Sequence, residues 1–313
     1  MNLVVGSVAM GLLLSVLGVG VLVMWRVFRT LDLTADGAFG LGAAAGAILL
    51  AGGHGAAASL LGATAAGYAA GLVTGLLRTA LGVDALLAGI LSSAAAYSVS
   101  LLLMHGSDVP LGLTPTLFTW AEGVLGGWFP GLDGAVVLDT PVGLKNWAAL
   151  VTCALVALGT WAGITWFFLT RLGLAIRAVG SSPAMARALG APIKLTVIVG
   201  LVLANGLVGF CGGLFVQYQG FANIQMGIGM IVTGLASVVL GEALLRPRSM
   251  GGRVAAVMAG AVAFRLAIAA ALRAGLDPNL LKLVTAVVVL VALVTPKAFR
   301  RLTASLAEDG AHG

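Results

Sequence analysis

Two aspartates at the entrance to an apolar run are the first residues of this chain that could recognise a solute. Asp32, Thr34 and Asp36 lie in a polar stretch that leads into a Gly/Ala-rich segment. A helix amino terminus in this position favours an anion such as a carboxylate, whereas the aspartates favour an ammonium group. A zwitterionic amino acid would satisfy both. The alternative interpretation is that Asp36 only caps a helix at the membrane surface.

A second group of polar residues follows the sixth apolar run. It contains Gln217, Gln219, Asn223 and Gln225. Neutral amides both donate and accept hydrogen bonds, which suits a path for a polar solute, but an exposed loop would contain them equally well. Asn205 lies inside the apolar run and needs a partner there, either a neighbouring helix or a ligand.

Arg265 lies near the middle of the eighth apolar run. A charge at that depth in a bilayer is costly and is a candidate functional residue by default. A structural pair, or a side chain that reaches out to the interface, would explain it as well.

The residues needed for covalent chemistry are missing from the sequence. There is no phosphate-binding Gly-x-x-x-x-Gly-Lys-Ser/Thr motif, so any ATP hydrolysis must belong to a separate chain. His54, His105 and His312 are isolated, and no carboxylate cluster within the apolar runs resembles a hydrolytic or metal site. Cys153 and Cys211 lie in apolar stretches and are interpreted as small buried hydrophobic residues. We therefore expect no enzyme activity, metal or cofactor on this chain.

The composition indicates which elements position the polar residues. Hydrophobic residues make up 60% of the 313 residues and charged ones 9%, too few polar side chains to cover a soluble globule. Spans of about 20 residues then predict an all-α polytopic membrane helical bundle of about nine transmembrane helices, with eight to ten compatible and the second span discontinuous. The predicted spans lie near 3–25, 37–53, 55–77, 84–104, 146–170, 195–217, 226–245, 254–272 and 279–295.

Glycines repeat at four-residue spacing within three of these spans. They are Gly67, Gly71 and Gly75, then Gly42 with Gly46, and Gly209 with Gly213. Such stripes let helices approach closely, so we expect them to serve packing within the bundle or at a subunit interface.

The basic residues predict the orientation in the membrane. Of the 17 Lys and Arg residues, all but Lys145, Arg265, Arg273 and Lys282 fall on one side of the predicted spans. The positive-inside rule places that side in the cytoplasm of a bacterial inner membrane, with the amino terminus outside and the carboxyl terminus inside. The basic residues are scattered singly, so no nucleic-acid partner is expected.

The chain divides into a transmembrane domain at 1–296 and a cytoplasmic tail at 297–313. The long outer loop at 105–145 contains Trp120 and Trp128 and is predicted to form an interfacial helix with loops. It is either an aromatic belt with acidic loops or a docking face for an extracytoplasmic partner.

The cytoplasmic loop at 171–194 contains an isolated short helix. Ser182 is an N-cap, Pro183 suits the first helical position, and Gly190 suits the end, which predicts a helix over 183–189. A helix of two turns is not stable alone in water, so it must pack against something. Exposed Met185 and Leu189, on either side of Arg187, would suit a groove on a cytoplasmic partner.

Residues 173–190 (GLAIRAVGSSPAMARALG) resemble the coupling loop of the ABC importer permeases that serve branched-chain amino acids, ribose and related sugars. Segment 31–42 is similar to the same family's segment that enters the discontinuous second span. Segments 205–223 and 227–242 are similar to its later core, so the resemblance covers most of the chain. The Thr-Ala-Asp-Gly stretch at 34–37 and the Gln-Tyr-Gln-Gly-Phe stretch at 217–221 most resemble the branch linked to aromatic amino-acid uptake.

The resemblance implies a type II importer-like permease that works by alternating access, with partners on both sides of the membrane. These partners are ABC ATPase subunits that carry ATP and Mg, an extracytoplasmic substrate-binding protein, and a second permease subunit, expected to be an identical copy. The coupling residues that the resemblance implies are Arg177, Gly180, Ser182, Pro183, Met185, Arg187, Leu189 and Gly190. Phe39, in the matching second-span segment, joins Asp32, Thr34, Asp36, Asn205, Gln217, Gln219, Asn223 and Arg265 as a candidate for the substrate path.

The alternative function is an ion-coupled secondary transporter or channel. It predicts paired acidic residues deep in the membrane for proton or sodium coupling, and these are scarce here. Asp84 and Glu242 fall near the cytoplasmic ends of their spans. The short capped helix at 183–189 has no explanation under this hypothesis.

Overall fold

The chain forms a bundle of membrane-length helices. The computed structural model describes residues 3–27, 32–112, 114–128, 135–137 and 140–275, with isolated positions 283, 285–287 and 290. Eight helices in this part of the chain are long and apolar enough to cross a membrane. The predicted all-α polytopic membrane bundle is confirmed. The predicted ninth span near 279–295 lies largely outside the described residues, as does the whole of the tail at 297–313.

The helices are α1 (Leu3–Leu22), α2 (Thr34–Ala51), α3 (Gly55–Thr79), α4 (Ala85–Met104), α5 (Leu117–Trp128), α6 (Leu144–Leu169), α7 (Arg171–Ser181), α8 (Pro183–Ala188), α9 (Ile193–Gln219), α10 (Met230–Leu245) and α11 (Met250–Arg273). A π-helical turn (Val23–Val27) follows α1, and a 3₁₀ turn (Ile224–Gly227) precedes α10. Four short strands, β1 (Asp108–Pro110), β2 (Ala135–Val137), β3 (Thr140–Val142) and β4 (Phe221–Asn223), form two antiparallel pairs, β1 with β4 and β2 with β3.

The seventh span differs from the sequence prediction in its continuity. The seventh span, predicted as one run over 226–245, is broken, because Gly229 adopts a left-handed conformation with φ +85° between the 3₁₀ turn and α10. In the second span, the described residues form one unbroken helix from Thr34 to Ala51, and the predicted discontinuity stays a prediction. Residues 28–31, which precede it, lie outside the described part of the chain. The other predicted spans agree with the observed helices to within a few residues.

Glycine contacts between α2, α3 and α9 make up the tightest part of the bundle. A Cβ atom on Gly209 of α9 would lie 2.6 Å from the Ala63 carbonyl oxygen and 2.8 Å from the Gly67 Cα atom. One on Gly42 of α2 would collide with the backbone of Gly209. The three backbones are therefore in direct contact, as the glycine stripes predict.

The opposite side of the core is built around α1. This helix is apolar all round, and it packs against α6, α9, α10 and α11. Leu13, Leu17 and Leu22 are fully buried there. A helix without a polar face is typical of an element enclosed by other helices, which explains why α1 is the most buried of the long spans.

The bundle has two distinct ends. What we call the Arg-rich end contains the last turn of α3 with Arg78, the short helices α7 and α8, and the start of α9. Contacts of Gly71 with Leu201 and of Gly75 with Ile198 bring the end of α3 and the start of α9 together. What we call the loop end contains α5 and the β1–β4 pair, which joins the loops after α4 and α9.

Replacing Gly209 with Ala is expected to lower the stability of the folded protein in detergent by about 1–3 kcal/mol, because the added methyl group has no space beside Ala63 and Gly67. The measurement is thermal unfolding followed by loss of the monodisperse gel-filtration peak. Gly159→Ala in α6 is the matched control, since nothing lies within 4 Å of its Cβ position. Equal unfolding temperatures for the two variants would contradict the packing described here.

Candidate functional site

Helix α2 begins in the interior of the bundle and not at its end. The Thr34 hydroxyl pairs with the Thr74 hydroxyl of α3 at 2.7 Å. Asp32, just before the helix, accepts hydrogen bonds from the Thr34 N–H (3.0 Å) and from the Asn205 Nδ2 (3.2 Å). Asn205 lies about 18 Å along α9 from its first residue, at 1.5 Å per residue. The predicted entry of the second span into a protein-lined interior therefore agrees with the observed position of α2.

These four polar side chains form a closed cluster. Asp32 is 1% exposed, and Thr34, Thr74 and Asn205 are 0% exposed. Arg78 interacts electrostatically with Asp32 and also with Asp84. The structure thus brings together three residues predicted for the substrate path, Asp32, Thr34 and Asn205, but it buries them among protein partners. In this conformation they connect α2, α3 and α9, and their assignment to the substrate path stays a prediction.

Asp36 holds a different helix from the one on which it lies. Its carboxylate accepts hydrogen bonds from the backbone N–H groups of Gly229 (2.9 Å) and Ile231 (2.8 Å), and also from that of Met230. These are the first free N–H groups of α10, which need an acceptor because no earlier turn supplies one. Asp36 therefore caps α10 from α2, whereas the sequence predicted a cap on its own helix or contact with a solute.

A polar cleft opens beside Asp36 on the outer surface of the bundle. It lies between α2, α4 and the 3₁₀ turn before α10, and it has a cavity of about 50 Å³. The lining residues are Asp36, Gly37, Gly40, Ser93, Tyr97, Ser100, Ile224, Gly227 and Ile228. Two glycines allow this arrangement, since a Cβ atom on Gly37 would lie 2.7 Å from the Ser93 Cα atom and one on Gly227 would collide with the Asp36 carbonyl oxygen.

The residues of α4 that line the cleft were not predicted from the sequence. Ser93, Tyr97 and Ser100 are spaced by four and three residues, which places them on one face of a helix. This face lies within a run that is otherwise apolar and small. A stripe of polar residues inside a predicted span could have identified this face, because polar side chains are unfavourable on a helix surrounded by lipid. Tyr97 is 43% exposed, so its ring is accessible from the cleft.

The amide residues of the second polar group have separate positions. Gln217 is buried and bridges three elements: its Oε1 accepts from the Leu117 N–H (2.9 Å), and its Nε2 donates to the Ala56 carbonyl (3.0 Å) and the Ser59 hydroxyl (3.3 Å). Gln219 is exposed at the end of α9. These two residues therefore neither cluster nor line the cleft.

Asn223 lies in β4 at the loop end. Its Nδ2 donates to the Asp108 carboxylate at 2.6 Å, and its Oδ1 accepts from the Gln225 N–H at 2.7 Å. Hydrogen bonds from Asn223 and then Ser107 hold the pKa of Asp108 below its usual value. This pair fastens the loop after α4 to the loop after α9, which is a structural role on the outside of the bundle.

Phe39 and Arg265 also lie away from the cleft. Phe39 is fully buried, and its ring meets that of Phe215 edge to face with centroids 5.5 Å apart. Arg265, on α11, has Tyr218 and Cys211 as electrostatic neighbours. Its Nε has no hydrogen-bond partner among the described residues. Phe39 belongs to the core and Arg265 is partly buried. Their assignment to the substrate path stays a prediction.

The short helix at the Arg-rich end has the predicted form. Helix α8 spans Pro183–Ala188, the Ser182 hydroxyl accepts from the Met185 N–H at 3.3 Å, and Gly190 has φ +77° just beyond its end. Met185 and Leu189 are 65% and 77% exposed, and Arg187 is exposed between them. The amphipathic α7 precedes it, with Arg177 exposed and Gly180 partly buried. An apolar, basic surface thus projects from the bundle.

A polytopic bundle with an intramembrane polar cleft and a short projecting helix is typical of a membrane permease. The family model of the branched-chain amino acid transport system permease component matches residues 3–294. A tyrosine transport system permease protein of Clostridioides difficile is 30% identical over 94% of this chain and 92% of its own. An autoinducer 2 import system permease protein of an Enterobacter species is 30% identical over 68% of this chain and 56% of its own.

An uncharacterized protein of Rickettsia prowazekii is 27% identical over 95% of this chain and 99% of its own. No solved protein structure matches the chain. The chain belongs to the branched-chain amino acid permease family and is the permease subunit of an ATP-binding-cassette importer. The ion-coupled alternative is therefore set aside.

Replacing Asn205 with Leu is expected to destabilise the protein by about 1.5–3 kcal/mol, because the buried Asp32 carboxylate loses a hydrogen-bond donor. The measurement is thermal unfolding in detergent. Thr160→Val is the control, since the one partner of the Thr160 hydroxyl in the described part of the chain is the Val156 carbonyl of its own helix. An Asn205→Leu variant as stable as the control would show that this buried contact contributes nothing.

Proposed function

We propose that this permease imports an aromatic amino acid through a path that two copies of the chain enclose at the Asp36 cleft. The observation that supports this location is the cleft itself. A carboxylate, two serines and a tyrosine lie at mid-depth on a surface that opens away from the single-chain bundle. Lipid chains against a carboxylate would be strongly unfavourable, so water and a second protein surface must cover it.

The substrate class rests on the name of a relative and on the chemistry of the cleft. The C. difficile relative, similar over nearly the whole of both chains, is named for tyrosine transport. The cleft offers a carboxylate and an aromatic ring, which suit an amino acid with a positive ammonium group. It lacks the rows of amide and acidic side chains that would hydrogen-bond the many hydroxyls of a sugar.

Different partners bind at the two ends of the bundle. The Arg-rich end faces the cytoplasm under the positive-inside rule, so the amino terminus is outside and the carboxyl terminus inside. ATPase subunits, which carry ATP and Mg, dock on α8 and the adjoining face of α7. A substrate-binding protein docks at the loop end, where Trp120 and Trp128 are exposed on α5.

Coupling from the ATPases to the path follows the helices in contact. Helices α7 and α8 pack against α9, and α9 packs along α2 and α3. A shift of α8 during ATPase closure therefore moves the element that contacts Asp32 through Asn205. The cleft then alternates between access from the loop end and access from the Arg-rich end.

Substituting Glu for Met185 and Leu189 is expected to release the ATPase. These exposed side chains supply the apolar contact of α8, and a carboxylate cannot be accommodated in an apolar groove. The measurement is co-purification of a Walker-motif ATPase in mild detergent, together with MgATP-dependent uptake of radiolabelled L-tyrosine by the reconstituted transporter. Trp128→Glu, at the loop end, is the control for an added surface charge and is expected to retain the ATPase.

Cross-linking tests the proposed pairing of two copies across the cleft. Tyr97→Cys is expected to give a covalent dimer with a short bis-thiol reagent in membranes, since Tyr97 lies on the surface that the second copy covers. Leu158→Cys, exposed on α6, is the matched control and is expected to stay monomeric. Native Cys153 and Cys211 are buried and give no background. Dimers from Leu158→Cys but not from Tyr97→Cys would contradict the proposal and show that the two copies pair through another face.

A further inference from the structure

Asp36 combines a structural contact with an unbalanced charge. Its three hydrogen bonds come from uncharged backbone N–H groups, and no Lys or Arg side chain pairs with it in the described part of the chain. A helix amino terminus carries only about half a positive charge, so the capped carboxylate keeps a net negative field. That field points into a cleft at mid-depth of the bundle, where nothing else in the described residues neutralises it.

The groups around Asp36 are suited to a cation with N–H donors. Ser93 and Ser100 line the cleft, the Ser100 hydroxyl donates to the Ala96 carbonyl at 2.8 Å, and the Tyr97 ring is accessible beside them. The Tyr97 hydroxyl has no hydrogen-bond partner among the described residues. An ammonium group can donate to a carboxylate and a hydroxyl and can contact the face of an aromatic ring at the same time.

The same geometry excludes an anion from this position. The first N–H groups of α10 would otherwise form a carboxylate site, but Asp36 already occupies them. The carboxylate of an amino acid must therefore lie elsewhere. The structure thus distinguishes the two ends of a zwitterion, which the sequence alone leaves open.

We propose that Asp36, Ser93 and Tyr97 form half of a binding site for the ammonium group of the transported amino acid, completed by the second copy of the chain. This inference rests on the proposed function. A cavity of about 50 Å³ admits only a few water molecules. One chain therefore cannot enclose the substrate, and the facing copy must supply the rest of the site.

Asp36→Asn removes the charge and keeps one of the two side-chain oxygens that accept from the first N–H groups of α10. Thermal unfolding in detergent, measured beside uptake, reports how much of the cap is lost. We expect uptake of radiolabelled L-tyrosine by the complete transporter to fall at least about tenfold, with the ATPase still bound and the gel-filtration profile unchanged. Uptake equal to that of the wild type would overturn the proposal and leave the role of Asp36 as a cap.

Tyr97 provides a second, independent pair of variants. Tyr97→Phe keeps the ring face and is expected to retain most of the uptake, whereas Tyr97→Leu keeps an apolar side chain without a ring and is expected to lose it. Equal uptake by the two variants would overturn the role of the ring even if Asp36→Asn failed to assemble. A wild-type transporter that binds its ATPase but does not import L-tyrosine would instead refute the proposed substrate.

Cysteine labelling with charged reagents tests the negative electrostatic field of the cleft without any substrate. In a Ser93→Cys variant of the complete transporter, we expect a cationic methanethiosulfonate reagent to react at least about tenfold faster than an anionic one. Adding Asp36→Asn is expected to abolish that preference. No reaction with either reagent, or a preference unaffected by Asp36→Asn, would overturn the proposal. The parent protein, with only buried Cys153 and Cys211, is the background control.

Discussion

The requirement that every backbone polar group inside a membrane find a partner determines the centre of this structure. Helix α10 begins within the bundle, so its first N–H groups have no preceding turn of the same helix to satisfy them. Asp36 of α2 supplies the acceptor. A carboxylate in this position serves better than a neutral cap, because it also complements the positive end of the helix. Helices α2 and α10 are thereby held together at one point.

Close backbone contact makes that arrangement possible. Gly227 brings the turn before α10 against the Asp36 carbonyl, and Gly37 brings α4 against the first turn of α2. The same principle holds between α2, α3 and α9, where Gly42, Gly67 and Gly209 meet. In lipid there is no hydrophobic force to drive apolar helices together, so the contacts must come from shape and from hydrogen bonds. Glycine permits both close packing and hydrogen bonding, since its lack of a side chain lets the backbone of one helix contact the carbonyl groups of the next.

Helix α9 relates the two ends of the molecule. Its first turns contact α7 and α8, its middle holds Asp32 through Asn205, and its last turns fasten α3 and α5 through Gln217. A rigid helix with fixed polar contacts along its length transmits a displacement from one end to the other, because its side chains cannot slide past their partners. The arrangement suits a permease subunit.

Local patterns in the sequence determined the membrane fold, the limits of most spans, the glycine contacts and the capped helix at Ser182 and Pro183. Each depends on residues near one another in the chain: an apolar run of sufficient length, a glycine every four residues, or a cap followed by proline. The roles of the polar residues were decided by the tertiary structure. Whether Asp36 caps its own helix or another, whether Asn205 meets a ligand or Asp32, and whether Gln217 faces a path or bonds to α3 and α5 depends on partners between 100 and 195 residues away. No local pattern encodes such distant pairing, because the pairing depends on how the helices pack against one another in the folded bundle.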